Sequence, residues 1–119
     1  MELNVSKCVV MFFSHSNVVQ EYDYCIDGCS LSVVQRFKDL GVITTPSLCP
    51  LDHLVYISSR VSSLLGFIYR STRPLKSPST LVTLYKSLAR PILEYCSVIW
   101  SPYQVGHMDI LNRLQTSFL

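Results

Sequence analysis

The sequence predicts an α+β fold in which a small, mostly antiparallel sheet of three or four strands precedes a bundle of about three helices. Glu21–Ile26 alternates between polar and apolar residues and leads into Asp27-Gly28, a strong signal for a two-residue β-hairpin. Thr44–Pro50, TTPSLCP, carries two prolines that interrupt regular structure. Beyond this segment the apolar residues recur at helical spacing. We therefore place a strand region at residues 1–45 and a helical region at residues 46–119.

Three further segments complete the predicted sheet. Cys8–Phe13, CVVMFF, is a continuous apolar run, which is typical of a strand buried on both faces. Cys29–Val34 follows the hairpin turn and is predicted to pair with the strand before it. Leu40–Ile43 is predicted to be a fourth short strand, entered through Lys38-Asp39.

The hairpin also determines how two of the five cysteines are placed. A two-residue turn at Asp27-Gly28 sets Ile26 opposite Cys29 and Cys25 opposite Ser30. The two thiols then point to opposite faces, which argues against a disulfide or a shared metal ion. The odd number of cysteines, without a signal peptide, indicates a reducing compartment such as the nucleus or the cytoplasm.

The helical region begins with an amphipathic helix predicted over residues 51–70. Ser77 has the character of an N-cap, with Pro78 at the first position of a second helix. Pro91 lacks the N–H that a regular helix needs, so we expect a kink or a short break that leaves pieces near 78–90 and 91–100. Met108–Phe118 begins a third helix without a terminal cap, which gives the chain the appearance of a cut segment. The apolar stripe predicted for the first helix consists of Leu54, Ile57, Val61, Leu64, Leu65 and Ile68.

Charge is distributed unevenly along the chain. Charged residues make up 15% of the sequence, against about 25% in typical soluble domains. This low share favours the interpretation that the chain is a fragment that packs against other parts of a larger protein. Residues 53–93 contain no acid, an electrostatic pattern suited to phosphate groups. The alternative is a solvated helical surface that happens to lack acids. The six cations of this block are Arg60, Arg70, Arg73, Lys76, Lys86 and Arg90.

Tyr85–Tyr103, YKSLARPILEYCSVIWSPY, combines an apolar helical stripe with two like charges one turn apart. Lys86 and Arg90 at this spacing destabilise an isolated helix slightly, so an anionic partner outside the helix is a simple explanation for them. The stripe itself comprises Leu81, Leu84, Tyr85, Leu88, Ile92, Tyr95, Cys96 and Ile99.

This segment resembles the region after the polymerase palm in reverse transcriptases of jockey-like non-LTR retrotransposons. Two further blocks resemble the same family in the same order: Leu3–Ser14, LNVSKCVVMFFS, and Phe37–Ile43, FKDLGVI. The weaker Ile26–Leu31, IDGCSL, lies between them. The resemblance implies that the chain is the late palm and thumb of an RNA-directed DNA polymerase. The catalytic aspartates of that family lie upstream of the first block, so Mg²⁺ is implied for the intact polymerase alone.

The resemblance also implies roles for residues of the strand region. Lys7 aligns with a basic residue near the departing pyrophosphate of the intact polymerase, but for this chain alone a lysine at a strand end with its amine in water is the preferred explanation. The primer-grip turn corresponds to Asp39, Leu40, Gly41 and Val42, where Gly41 permits close approach of the backbone to a primer end. Its alternative is an ordinary turn glycine.

In the helical region the resemblance implies a thumb that holds an RNA–DNA hybrid or another template–primer duplex. The six cations would contact phosphates, which position a duplex without reading its sequence. Tyr95, Trp100 and Tyr103 either stack on bases or pack in the core. The other implied partner is the segment that carries the rest of the palm and the fingers.

The sequence argues against several classes of function. It contains no Asp-Asp pair, no Ser/His/Asp set, no glycine-rich phosphate loop and no His/Cys spacing typical of a metal site, so no catalysis is expected of this chain alone. No apolar run approaches the ~18 residues of a membrane span. Two other functions stay open, namely a protein-interaction module and a translated relic of a transposable element without activity.

Overall fold

The protein consists of two compact units, Met1–Cys49 and Pro50–Leu119, in a computed structural model that describes residues 2–14, 22–75, 77–101 and 104–118. The predicted α+β class is confirmed, since short strands occupy the first unit and helices the second. We call them the strand unit and the helical unit. The division falls at Pro50, the last residue of the predicted breaker segment, because the first long helix begins directly after it.

The strands are shorter than predicted and form three two-stranded ladders. Two of these ladders are antiparallel hairpins, β2–β3 and β5–β6, and the third pairs β1 with β4 in parallel. The segment predicted as one return strand after the turn changes partner at Leu31, pairing first with β2 and then with β1. The strand bounds are β1 Val9–Val10, β2 Cys25–Ile26, β3 Cys29–Ser30, β4 Ser32–Val33, β5 Phe37–Asp39 and β6 Val42–Thr44.

The Asp27-Gly28 hairpin has the predicted register. Both turn residues have positive φ, 50° and 76°, as a type I′ turn requires. Cys25 pairs with Ser30 and Ile26 pairs with Cys29. The N–H of Leu31 donates to the carbonyl of Tyr24 at 2.8 Å and continues the hairpin by one more bond.

Two strand predictions are wrong. Leu40 and Gly41 are not strand residues but the turn between β5 and β6, with φ of 47° and 87°. The run Cys8–Phe13 is not buried on both faces, because Phe13 is exposed and the other five residues are half-buried. Within the described part of the strand unit β1 pairs with β4 alone, so one edge of it has no strand to cover it.

The helical unit is built around a single long helix, α1, Leu51–Thr72. The predicted stripe is confirmed, since five of its six residues are buried and Leu64 is partly buried. The later helices pack on this one. They are α2 Pro78–Leu84, a π-helical segment Tyr85–Ala89, α3 Arg90–Glu94, α4 Ser97–Trp100 and α5 Val105–Phe118, with a 3₁₀ turn at Arg73–Leu75.

A kink or a short break was predicted at Pro91, and the helix does not break there. It runs from Pro78 to Glu94, and the π-helical segment Tyr85–Ala89 ends two residues before the proline. The N–H of Arg90 donates to the carbonyl of Tyr85, five residues back, rather than to a carbonyl four residues back as in an α-helix. The regular α-helical hydrogen bonding that Pro91 would interrupt is therefore already altered before the proline. The break comes at Cys96, which has a left-handed backbone with φ of 52°.

Trp100 closes this break against α1. Its side chain is 5% exposed, and its Nε1–H donates to the carbonyl of Tyr95 at 2.7 Å. The indole centroid lies 5.3 Å from the ring of the buried His53 in the first turn of α1. The backbone carbonyl left unpaired at the end of α3 is thus satisfied by a side chain of the next helix.

Truncation of Val61 to alanine should destabilise the helical unit by about 2 kcal/mol, because it removes two buried methyl groups and leaves a cavity. Val61 is 0% exposed and packs beside Leu65 and Ala89. Urea unfolding followed by the fluorescence of Trp100, the single tryptophan, measures the change in this unit.

The matched control is Val55→Ala, the same substitution on the same helix at a residue that is 54% exposed. It should change the free energy of unfolding by less than ~0.5 kcal/mol. Equal losses for the two variants would contradict the assignment of the buried face.

Candidate nucleic-acid interface

The cations predicted to contact phosphates lie on the surface of the helical unit. Lys76 falls outside the described residues. The other five side chains are exposed, namely those of Arg60, Arg70, Arg73, Lys86 and Arg90. They divide into three groups that differ in position and in the partners they already have.

Arg70 and Arg73 form the first group, at the end of α1. Arg73 keeps a helical backbone, with φ of −50° and ψ of −41°, so the two residues are neighbours at i,i+3 spacing on one surface. The partial negative charge at a helix C-terminus favours cations there, which gives this pair a structural reason as well. Arg70 and Arg73 thus place two exposed cations at the end of α1, beside a turn without acids.

Arg60 is a separate group, held along its own helix. Its Nη1 lies 3.5 Å from the hydroxyl of Tyr56, and its guanidinium lies 5.8 Å from the centre of the Tyr56 ring. Ten helical residues separate it from Arg70, which is about 15 Å along the axis and about 80° around it. The two arginines therefore do not form one stripe on α1.

Lys86 and Arg90 form the third group, on the π-helical segment and the start of α3. The Nε of Arg90 donates to Oε1 of Glu94 at 2.6 Å. That hydrogen bond and the charge of Glu94 raise the pKa of the Arg90 guanidinium. The repulsion expected between the two cations is thus offset within the helix, and Arg90 does not need an external anion.

The three aromatic candidates for base stacking behave differently. Trp100 is a buried packing residue, so it does not offer a ring face to a base. Tyr95 is 52% exposed, and a hydrogen bond with Cys96 raises the pKa of its phenol. Tyr103 lies outside the described residues. Of the two described candidates, Tyr95 is the one with an exposed side chain.

The strand unit brings two predicted site residues from separate sequence blocks to one cleft. Lys7 ends a 3₁₀ turn, Val5–Lys7, that precedes β1, and Asp39 ends β5. Both line a cleft of about 510 Å³, together with Phe37 and Thr44, which sequence reasoning had not assigned to a site. Phe37 pairs directly with Thr44 across the β5–β6 hairpin, so the pairing register of this hairpin is the signal that could have identified both residues.

The Leu40-Gly41 turn is tight and carries an apolar residue at its tip. Asp39 and Val42 pair across it, and the Leu40 side chain is 83% exposed. A leucine in the left-handed region is strained by about 1–2 kcal/mol, because its Cβ crowds the following carbonyl. Gly41 adopts its positive φ without that strain.

Two other features bear on ligands. Within the described ranges, no three His, Cys, Asp or Glu side chains are grouped so that they could hold a metal ion. The described helices include none with the length and apolar character that crossing a bilayer requires.

Comparison with protein-family models, with curated proteins and with solved structures found no match.

Replacing Leu40 with asparagine should stabilise the β5–β6 hairpin by about 1 kcal/mol, because Asn-Gly is the preferred pair in a type I′ turn. Amide hydrogen exchange at Val42 and Thr44 measures the local effect. The control is Leu3→Asn, at an exposed leucine outside any regular element, which should leave the exchange rates unchanged. Faster exchange in Leu40→Asn would mean that the leucine side chain itself holds the turn.

Proposed function

We propose that the helical unit binds an RNA–DNA hybrid or a similar nucleic-acid duplex through its phosphates, without reading base sequence. The observation that carries the proposal is the exposure of all five described cations in a block, residues 53–93, that contains no acid. Arginine recognises phosphate well because its planar guanidinium donates two parallel hydrogen bonds. The adjacent Arg70 and Arg73 are the best-placed pair for such contacts.

The cations are expected to contribute unequally. Arg70 and Arg73 supply two neighbouring charges, and Lys86 supplies a third on the second helix. Arg60 is held beside Tyr56 and Arg90 beside Glu94, so both would exchange an existing partner for a phosphate. Arg60 and Arg70 lie about 15 Å apart along α1 and about 80° apart around it. A single ligand that contacts both must therefore cross the helix at an angle, as a polyanion with the dimensions of a nucleic-acid duplex does.

The resemblance to non-LTR retrotransposon reverse transcriptases supplies the wider setting of the proposal. In that setting the helical unit would act as a thumb, and the β5–β6 turn would support a primer end. Two-metal phosphoryl transfer needs clustered carboxylates, and the sequence has no Asp-Asp pair to provide them. This chain would therefore bind the duplex, and another segment would supply the catalytic carboxylates.

The double substitution Arg70→Gln with Arg73→Gln should weaken duplex binding and make it less salt-dependent. Loss of two phosphate contacts lowers the slope of log K against log salt by roughly 1.4–1.8, at about 0.7–0.9 for each contact. Fluorescence anisotropy with a labelled RNA–DNA hybrid, titrated at several salt concentrations and in two unrelated sequences, measures both quantities.

The control is Arg113→Gln, which removes an exposed cation from α5, outside the acid-free block. It should leave the slope unchanged. A wild-type affinity that does not respond to salt, or equal effects of the two sets of substitutions, would overturn the proposed function.

Substitution of Glu94 by glutamine should strengthen duplex binding, since it releases Arg90 from its ion pair and makes a further phosphate contact available. The salt slope should steepen by up to about 0.9, one added contact. The same anisotropy titration measures it.

Asp109→Asn is the matched control, because it also removes one exposed negative charge, but on α5 and away from Arg90. If it raised affinity as much as Glu94→Gln, the gain would reflect net charge rather than the release of Arg90.

A second candidate function rests on the exposed apolar side chains around the Cys96 break. Val98 is 96% exposed and Ile99 is 73% exposed, beside the exposed ring of Tyr95. Apolar groups clustered in this way are typical of a protein-interaction surface. Charge removal at Arg70 and Arg73 would leave such an interaction intact, whereas Val98→Ser with Ile99→Ser would remove it and leave duplex binding unchanged.

A further inference from the structure

The side of α1 away from the core carries an exposed phenylalanine between two of the cations. The side chain of Phe67 is 58% exposed, and those of Arg60 and Arg70 are exposed as well. At 3.6 residues per turn, Phe67 lies about 20° around the helix from Arg60 and about 60° from Arg70. Its ring therefore falls within the part of the surface that the two arginines bound, which we call the Arg60–Arg70 sector.

The side chain of Arg70 extends back along the helix toward this ring. Its Nη1 lies 3.5 Å from the point that a Cβ would occupy at Gly66, the residue next to Phe67. Long side chains on a helix lean toward its N-terminus, so the charge lies over the turn before its own Cα. A cation and an exposed aromatic ring thus lie within one turn of each other on α1.

The other end of the sector has the same two kinds of side chain. The guanidinium of Arg60 lies 5.8 Å from the centre of the ring of Tyr56, which is half-buried. Tyr56 lies about 40° around the helix from Arg60, inside the sector. From His53 to its last residue α1 contains no acid, so the sector carries positive charge without an opposing carboxylate on its own helix.

Cations interleaved with aromatic rings match the two repeating groups of a single-stranded nucleic acid. Its phosphates pair with cations, and its unpaired bases have flat faces that stack on aromatic rings. The bases of a duplex already stack on one another, so they leave an exposed ring unused. An acidic peptide would pair with the arginines but would offer no regular series of flat groups to Phe67. The ~15 Å between the two arginines along the axis corresponds to about four nucleotides at about 3.4 Å each.

We propose that the Arg60–Arg70 sector binds a single-stranded segment of DNA or RNA, with a base stacked on Phe67 and phosphates in contact with both arginines. This inference rests on the proposed function in that nucleic acid is the ligand of the helical unit. It extends that function from paired to unpaired strands. Every base has a face that can stack, so the sector does not select a sequence.

Replacing Phe67 with leucine should weaken binding of a single strand by about five- to 150-fold, which is the effect of losing one stack between a base and an aromatic ring. Leucine keeps an apolar side chain and favours helix, so α1 is preserved. The salt slope and the affinity for a duplex should stay unchanged, because no phosphate contact is removed. Fluorescence anisotropy with a labelled ~12-nucleotide strand without self-complementarity, and with an RNA–DNA hybrid, measures these quantities.

Two control variants separate stacking from other effects of the substitution. Phe67→Tyr keeps an aromatic ring and should bind the single strand as the wild type does. Tyr69→Leu removes a ring that is 65% exposed on the same helix, but about 160° around it from Phe67, and should leave binding unchanged. Unchanged single-strand affinity in Phe67→Leu, or an equal loss in either control, would overturn the proposal.

Tryptophan fluorescence reports the stack directly. In Phe67→Trp, single-stranded DNA should quench the emission of the added indole, because a base stacks on it. Trp100 is 5% exposed, so the emission of the parent protein should not change. Tyr69→Trp should behave like the parent protein. Quenching in both variants, or in neither, would contradict the placement of the base on Phe67.

The two ligands also separate this inference from the proposed function. Wild-type protein that binds the hybrid in a salt-dependent way but does not bind the single strand would overturn this inference and leave the proposed function standing. Protein that binds the single strand alone would support this inference and overturn duplex binding. Protein that binds neither ligand would overturn both.

Discussion

The apolar face of α1 is the surface on which the helical unit depends. Leu54, Ile57, Val61 and Ile68 are almost fully buried along it, and the second helix, the π-helical segment and α5 all pack against the same helix. A helix that buries one face over twenty-two residues fixes the direction of each element that follows it. The π-helical segment and the Cys96 break are two adjustments that keep the later elements on that face.

The same constraint decides where the charges lie. Because one side of α1 is occupied by the core, its cations are confined to the remaining surface, and their ten-residue spacing sets Arg60 and Arg70 about 80° apart around the helix. The described cations of this unit therefore form local groups rather than a continuous band. Cations that are close in sequence, such as Arg70 and Arg73, are also close on the surface, whereas the number of cations in a block does not say where they lie.

The features that were predictable from sequence are those that depend on local chemistry. Asp27-Gly28 specifies its hairpin because both residues accept positive φ, and the register follows from the turn length. The parallel pairing of β1 with β4 left no local signal, since it joins residues more than twenty positions apart. The strand predicted over Leu40–Ile43 begins two residues later, at Val42, because Leu40 and Gly41 form the tight turn before it.

The helix around Pro91 shows why the position of a break is hard to predict. Proline indicates that regular helical hydrogen bonding is interrupted nearby. Here the backbone forms one wider, π-helical turn before the proline, and the break comes five residues after it, at Cys96. Cysteine gives no sequence signal for a left-handed backbone. The break is instead stabilised by a tertiary contact, the Trp100 indole donating to Tyr95 and packing on His53, which a linear pattern does not contain.

The two units differ in how much of their apolar surface they bury within themselves. The helical unit buries a long stripe, whereas in the described part of the strand unit the buried hydrophobic residues are Val42 and Ile43. A unit of this size gains little stability from so small a core, whereas the stripe on α1 supplies the helical unit with a core of its own.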